Sequence, residues 1–189
     1  VSGGNFATGE KSFGYFDATG TTFPFENGII LSTGKINNAP GPNSYLSDDG
    51  GGMGWNGDSD LNDALGLSNT FNATVLEFDF IPLGNRISFD YIFSSEQYLT
   101  NPSSNQCNFT DGFAFLLKEA SATSYDNLAV IPGTNTPVKV NTVRGPGTIC
   151  PPANAAYFDA FNETIHPTNF NGQTTVLTAQ SDVIPGQTY

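Results

Sequence analysis

Positive charge is scarce in this chain of 189 residues: six Lys and Arg stand against 18 Asp and Glu, giving a net charge of −12. Six scattered cations cannot neutralise a run of phosphates, so nucleic acid is excluded as a partner. Charged residues of either sign make up only 13% of the chain, about half the usual ~25%, which also separates it from highly charged disordered segments. No apolar run approaches the ~18–20 residues that cross a bilayer. One His and two Cys offer too few nitrogen and sulfur ligands for a structural zinc site. There is no G-x-S-x-G elbow for a nucleophilic serine. Gly50–Gly52 is followed by acids that would repel phosphate. No signal peptide opens the chain, and Val1-Ser-Gly-Gly reads as a mature or trimmed start.

What is present is aromatic area and uncharged polarity. Sixteen Phe, seven Tyr and one Trp bring enough ring surface for a sizeable core, at ~150–250 Å² per buried ring. Twenty Asn, 20 Thr, 21 Gly and 12 Pro supply turns, the profile of an extracellular β protein. The acidity is read either as cation binding or as solubility. Cys107 and Cys150 both lie in loop-like sequence after β segments. Paired, they close a long loop and stabilise the fold by ~3–4 kcal/mol in the loop-entropy model, which implies an oxidising compartment. Two buried free thiols are the alternative.

The hydrophobic pattern has period two. Residues 74–81 (TVLEFDFI) and 86–93 (RISFDYIF) alternate cleanly, and the short turn between them invites a hairpin. Further strands are expected at 28–32, 112–117, 128–131, 138–143 and 174–178. Helix is expected only at 60–65, capped by Ser59, and more weakly at 153–161. Many strands, long loops and no βα alternation lead to an all-β, two-sheet, jelly-roll-like (concanavalin-like) β-sandwich with little helix, one domain over 1–189. The closing run Val183-Ile-Pro-Gly-Gln-Thr-Tyr189 reads as a turn into a further strand, so the domain is expected to be trimmed or incompletely covered at its ends.

The acidic loop from Asp48 to Asp63 is the densest in chemistry. Its Gly residues let the backbone fold tightly, and close-spaced Asp and Asn oxygens suit Ca²⁺. Asp58, Asp60 and Asn62 match the first half of an EF-hand loop, but Asp63 stands where Gly is needed and Asn69 where a bidentate Glu is needed. A looser site remains. Glu96 follows one apolar strand and Asp111 precedes another, so the two carboxylates can share a rim, where they need a cation, an Arg or a shared proton. With only Arg86 and Arg144 available, Ca²⁺ is the preferred partner, and Asp58, Asp60, Asp63, Glu96 and Asp111 are the candidate ligands.

Two carbohydrate readings compete. Glu77 and Asp79 alternate as in the E-x-D-x-x-E signature of a jelly-roll glycosidase, but Ile81 and Pro82 stand where the third carboxylate belongs. Asp111-Gly-Phe-Ala-Phe resembles the sugar-contacting D-G-x-A-F of legume-type lectins, with Trp55 or Tyr98 as an aromatic platform. The metal run of those lectins has its nearest counterpart in Tyr157-Phe-Asp159-Ala-Phe161-Asn162, which lacks the leading Glu. Sequons at Asn72, Asn108 and Asn162 suggest surface positions.

Together the segments Gly28-IILSTG-Lys35, Gly57-DSDL-Asn62, Val75-LEFDFIP-Leu83, Ile87-SFDYIFSSEQ-Tyr98, Asp111-GFAFLL-Lys118, Asn127-LAVIPGTNTPVKVNT-Val143 and Asn171-GQTTVLTA-Gln180 resemble the choice-of-anchor L domain of secreted bacterial surface proteins. Gln97 departs from a common second Glu, and Gly112 from a common Val or Ile. The resemblance implies a module of a large surface protein, exported often by type IX secretion, held by interchangeable anchors and at work in attachment or gliding. The expectation is therefore a non-enzymatic, extracellular, Ca²⁺-stabilised adhesin module with no membrane span of its own. Its partners would be other domains of the same protein, surface glycans or surface proteins.

Overall fold

The computed structural model describes residues 1–44 and 54–189. It is built mostly of short strands, with about 10% of residues helical. β1 (Phe13–Asp17) and β2 (Asn27–Leu31) form an antiparallel hairpin, with Phe13 opposite Leu31 and Asp17 opposite Asn27. The Asp17 carboxylate accepts from Thr19 N–H at 2.9 Å and starts the turn between them. The one α-helix among the described residues, α1 (Ser59–Leu65), begins one residue before its expected start, because Asp58 and not Ser59 caps it: the Asp58 side chain accepts from Leu61 N–H at 2.9 Å. Gly66 ends it in the left-handed region (φ 65°), where a Cβ would be strained.

β3 (Arg86–Tyr91) pairs along its length with β9 (Leu177–Asp182), from Arg86 opposite Asp182 to Tyr91 opposite Leu177. This corrects the expected hairpin with 74–81. That segment instead exchanges backbone bonds with Ser2 at Val75 and with Tyr189 at Phe80. Alternation identifies a strand but carries no information about its partner. β4 (Ser94–Ser95), β8 (Gly172–Thr174) and β7 (Phe158–Phe161) make a three-stranded sheet in the order β4-β8-β7, and β5 (Leu116–Leu117) pairs β6 (Asp126–Asn127). The helix expected at 153–161 is a 3₁₀ turn, Ala155–Tyr157, followed by β7. Phe158 packs against the rings of Tyr98 and Phe161, and tertiary packing overrides local preference.

Among the described residues the pairings fall into four small sheets with isolated bridges such as Gly112–Lys139 and Val130–Pro137. The all-β character stands, while the hydrogen bonds do not draw the two continuous sheets of a jelly roll. The core is Ile131, Val138, Val143 and Leu177, backed by Tyr91, Phe93, Tyr157 and Phe158. Each such aliphatic side chain contributes about 1.5–3 kcal/mol on burial. Rings tie segment 113–115 to β3: Phe89 meets Phe115 at 4.5 Å and Tyr91 meets Phe113 at 5.0 Å. The reversed order of the partners means the two segments run antiparallel. This packing brings the end of β4 and residue 111 to one rim of the molecule.

Candidate functional site

The rim is assembled by backbone bonds. Asp111 C=O accepts from Val140 N–H at 2.9 Å, which fixes the start of segment 111–117 against the 139–143 turn. Ser95, at the end of β4, donates its hydroxyl to Asp111 Oδ2 at 3.2 Å and accepts from Gln97 N–H at 3.0 Å. Glu96 is held beside it, its carbonyl accepting from Asn171 Nδ2 at 2.6 Å. Glu96 and Asp111 therefore sit at two chain ends that meet through Ser95.

Arg144 is part of this rim, with only 8% of its surface exposed, although nothing in the local sequence marked it out from Arg86. Its Nη2 donates to Cys107 C=O at 2.9 Å, so the cation is anchored to the Cys107–Cys150 disulfide, which the structure forms with a Cα–Cα distance of 5.2 Å. Burial pulls the guanidinium below its ordinary value, opposed by the neighbouring Tyr98. Tyr98 is 1% exposed, and among the described residues its hydroxyl has no hydrogen-bond partner. Burial pushes that phenol well up, with Arg144 lowering it and Asp111 raising it. The expectation that Tyr98 forms a sugar platform is corrected: its ring packs edge-on against Phe158 at 5.0 Å inside the protein. Trp55 stays half-buried, with Nε1 donating to Ala73 C=O at 2.8 Å and its ring edge-on to Phe6.

α1 approaches the rim by its C-terminal end. Lys139 Nζ donates to Leu65 C=O at 3.0 Å, a cation on the orphan carbonyls of a last helical turn. A Cβ on Gly112 would meet Lys139 Cγ at 2.9 Å and Leu65 Cδ1 at 3.0 Å. Asp58 lies at the other end of the helix, about 10 Å away along seven residues, where its N–H bonds Thr70 Oγ1 at 3.0 Å. Gly57 presses so closely on the Thr70 carbonyl that no side chain fits there. The five candidate acids thus divide between the two ends of α1 and the rim. Among the described residues no three His, Cys, Asp or Glu side chains are grouped to hold a metal ion. Asp48 and Asp49 lie outside the described residues.

The glycosidase pair, Glu77 and Asp79, stands on an open surface beside exposed Leu76 and Phe78. The sequon reading is corrected at two of three positions. Asn162 is 1% exposed and spends its amide on Thr168 and Phe170 carbonyls, and Asn72 is buried with its Oδ1 on Trp55 N–H. Asn108 alone of the three is exposed.

The family model of the choice-of-anchor L domain matches residues 1–189, the whole chain. The chain belongs to that family. No curated protein and no solved structure matches it. A choice-of-anchor L domain is a bacterial surface-associated module of a cell-surface or secreted protein, from a family not known for catalysis. No described helix is long and apolar enough to cross a membrane.

Proposed function

We propose that this domain is a non-enzymatic, calcium-stabilised adhesin module, one sandwich-like unit of a longer surface polypeptide working in attachment or gliding. The observation that carries the calcium reading is a set of acceptor oxygens on the segments that converge at Asp111. Asn141 Oδ1, on the turn that bonds Asp111, and Asn62 Oδ1, on α1, are both buried with no hydrogen-bond donor among the described residues. A buried acceptor without a donor is costly. Ca²⁺, which takes 6–8 oxygens from carboxylates, amides and carbonyls at once, relieves that cost, with the carboxylates of Glu96 and Asp111 as the charged ligands of the set. Asp58, Asp60 and Asp63 serve as ligands only if calcium also cross-links the N-terminal end of α1.

The test is thermal unfolding with Ca²⁺, with Mg²⁺ as control. A Ca²⁺-specific rise in midpoint that is lost in Asp111→Asn supports the rim. A rise lost only in Asp58→Asn moves the ion to the helix start, since Asn still caps a helix and the variant removes charge alone. No rise at millimolar Ca²⁺ refutes calcium and leaves the acidity as surface charge. Adhesion is read separately, by binding of the domain to glycan arrays and to surface proteins.

A further inference from the structure

The lone histidine lies outside that rim, and its surroundings are unusual. His166 Nε2 stands 3.0 Å from Asp159 Oδ2, yet Nε2 is buried and makes no hydrogen bond among the described residues, so no ring N–H is aligned on the carboxylate. Gln173 reaches the same Asp159 oxygen, with Nε2 at 3.5 Å, the outer limit of a hydrogen bond. Gln173 is 1% exposed, and among the described residues its Oε1 has no hydrogen-bond partner. An imidazole nitrogen and an amide therefore both approach one carboxylate oxygen, and the polar groups are left poorly satisfied. Turning the amide by half a rotation places Oε1 where Nε2 now stands.

We propose that Asp159, His166 and Gln173 form a binding site for a divalent transition-metal ion of the zinc type. Ions of this class hold nitrogen and oxygen ligands at about 2.0–2.2 Å, so two ligands lie about 3.0 Å apart at a right angle and about 3.4 Å apart at a tetrahedral one. The 3.0 and 3.5 Å that separate the Asp159 oxygen from the imidazole and from the amide match these two ligand-to-ligand distances. Imidazole favours zinc, copper or nickel over calcium, which separates this site from the oxygen-lined rim. The scaffold is already built. Asp159 sits at the register shift between Phe158 and Ala160, where β7 leaves its ladder with β8, a device that re-aims a side chain. Gln173 projects from the middle of β8. His166 is positioned by its own N–H, which donates to Asn162 Oδ1 at 2.7 Å, with Asn162 itself buried. Asp159 keeps 40% of its side chain exposed, leaving the ion an approach and a coordination position for water.

Co²⁺ titration of the metal-stripped, tag-free domain, followed by visible absorption, tests the site. The expected result is one Co²⁺ per chain, displaced by Zn²⁺ but not by Ca²⁺, with a rise in unfolding midpoint. His166→Ala and Asp159→Asn, checked for folding by near-UV circular dichroism, weaken binding by more than about 100-fold, beyond the 10–100-fold usual for outer-shell changes. Gln173→Glu exchanges an amide for a carboxylate and tightens binding. Absence of a saturable Co²⁺ signal in the folded wild type, or wild-type affinity retained in His166→Ala or Asp159→Asn, overturns the site. Either outcome is independent of the calcium rim, because Asp111→Asn leaves the Co²⁺ titration unchanged.

Discussion

The β1–β2 hairpin and the β3–β9 ladder are both regular antiparallel pairs of comparable length, yet they stand at opposite extremes. In the hairpin every partner is close in sequence, and its outward face leaves Tyr15 69% and Ile29 64% exposed. In the ladder the partners come from distant parts of the chain, and Leu177 and Ala179 are buried beneath aromatic rings. The same strand chemistry thus serves two ends. One pair is held by local closure and hydrogen bonds, the other by burial. Perturbation should therefore register very differently in the two.

The largest expected effect lies on the core side. Ile131→Ala, in the cluster that receives Leu177, lowers stability by about 2–5 kcal/mol, whereas Ile29→Ala on the hairpin stays within about 0.5 kcal/mol, both measured by urea unfolding. Equal losses would erase the distinction. Next comes the Cys107→Ala, Cys150→Ala double variant, which loses about 3–4 kcal/mol and also frees the Cys107 carbonyl that anchors Arg144. Disulfide-free protein of undiminished stability would show that the pair contributes nothing beyond the packing around it. Gly57→Ala drives a methyl into the Thr70 carbonyl and lowers the melting midpoint by more than Asp58→Ala, which loses a helix cap and about 0.5–2 kcal/mol.

The smallest effect is in alkali. Burial raises Tyr98, and pushes Tyr91 up to about 12. A phenol raised in the folded state contributes stability that is complete below its unfolded value near ~10 and lost as pH climbs through the folded value. Unfolding midpoints should hold steady from pH 7 to about 9 and fall between about 10 and 12. Tyr98→Phe removes one unpartnered buried hydroxyl, so it should flatten that fall without loss of stability at neutral pH. A marked loss at pH 7 would reveal a hydrogen bond at that hydroxyl.

The ladder and hairpin also show what the sequence discloses. Alternation at 86–93 marked β3, and the β-branched run at 174–178 reached only the first two residues of β9, but pairing across ~90 residues is set by which faces fit in three dimensions, and a period of two is silent on that. β1, FGYFD, carries a glycine and an aspartate, residue types common in turns, so its strand character does not stand out in the sequence. Asp111 and Glu96 were legible as strand ends. Arg144 was not, because a buried arginine is recognised only by the carbonyl and ring around it. Tyr98 was misjudged for a related reason: in an aromatic-rich chain, composition cannot tell an exposed ring from a buried one. Asp159 and His166, seven residues apart in sequence, meet because a bulge and a folded-back loop aim them at each other, neither of which leaves a periodic trace.

The ladder has a consequence for when this protein can fold. β3 finds its partner only after the chain through Asp182 is available, and closing so long a loop comes before any contact rewards it. The hairpin can form as soon as residue 31 emerges, but the core cannot, since Leu177 is one of its walls. During synthesis most of the chain therefore waits, with its aromatic strands unpaired and open to chaperones. Closure of the core therefore waits on β9, the last strand of the ladder.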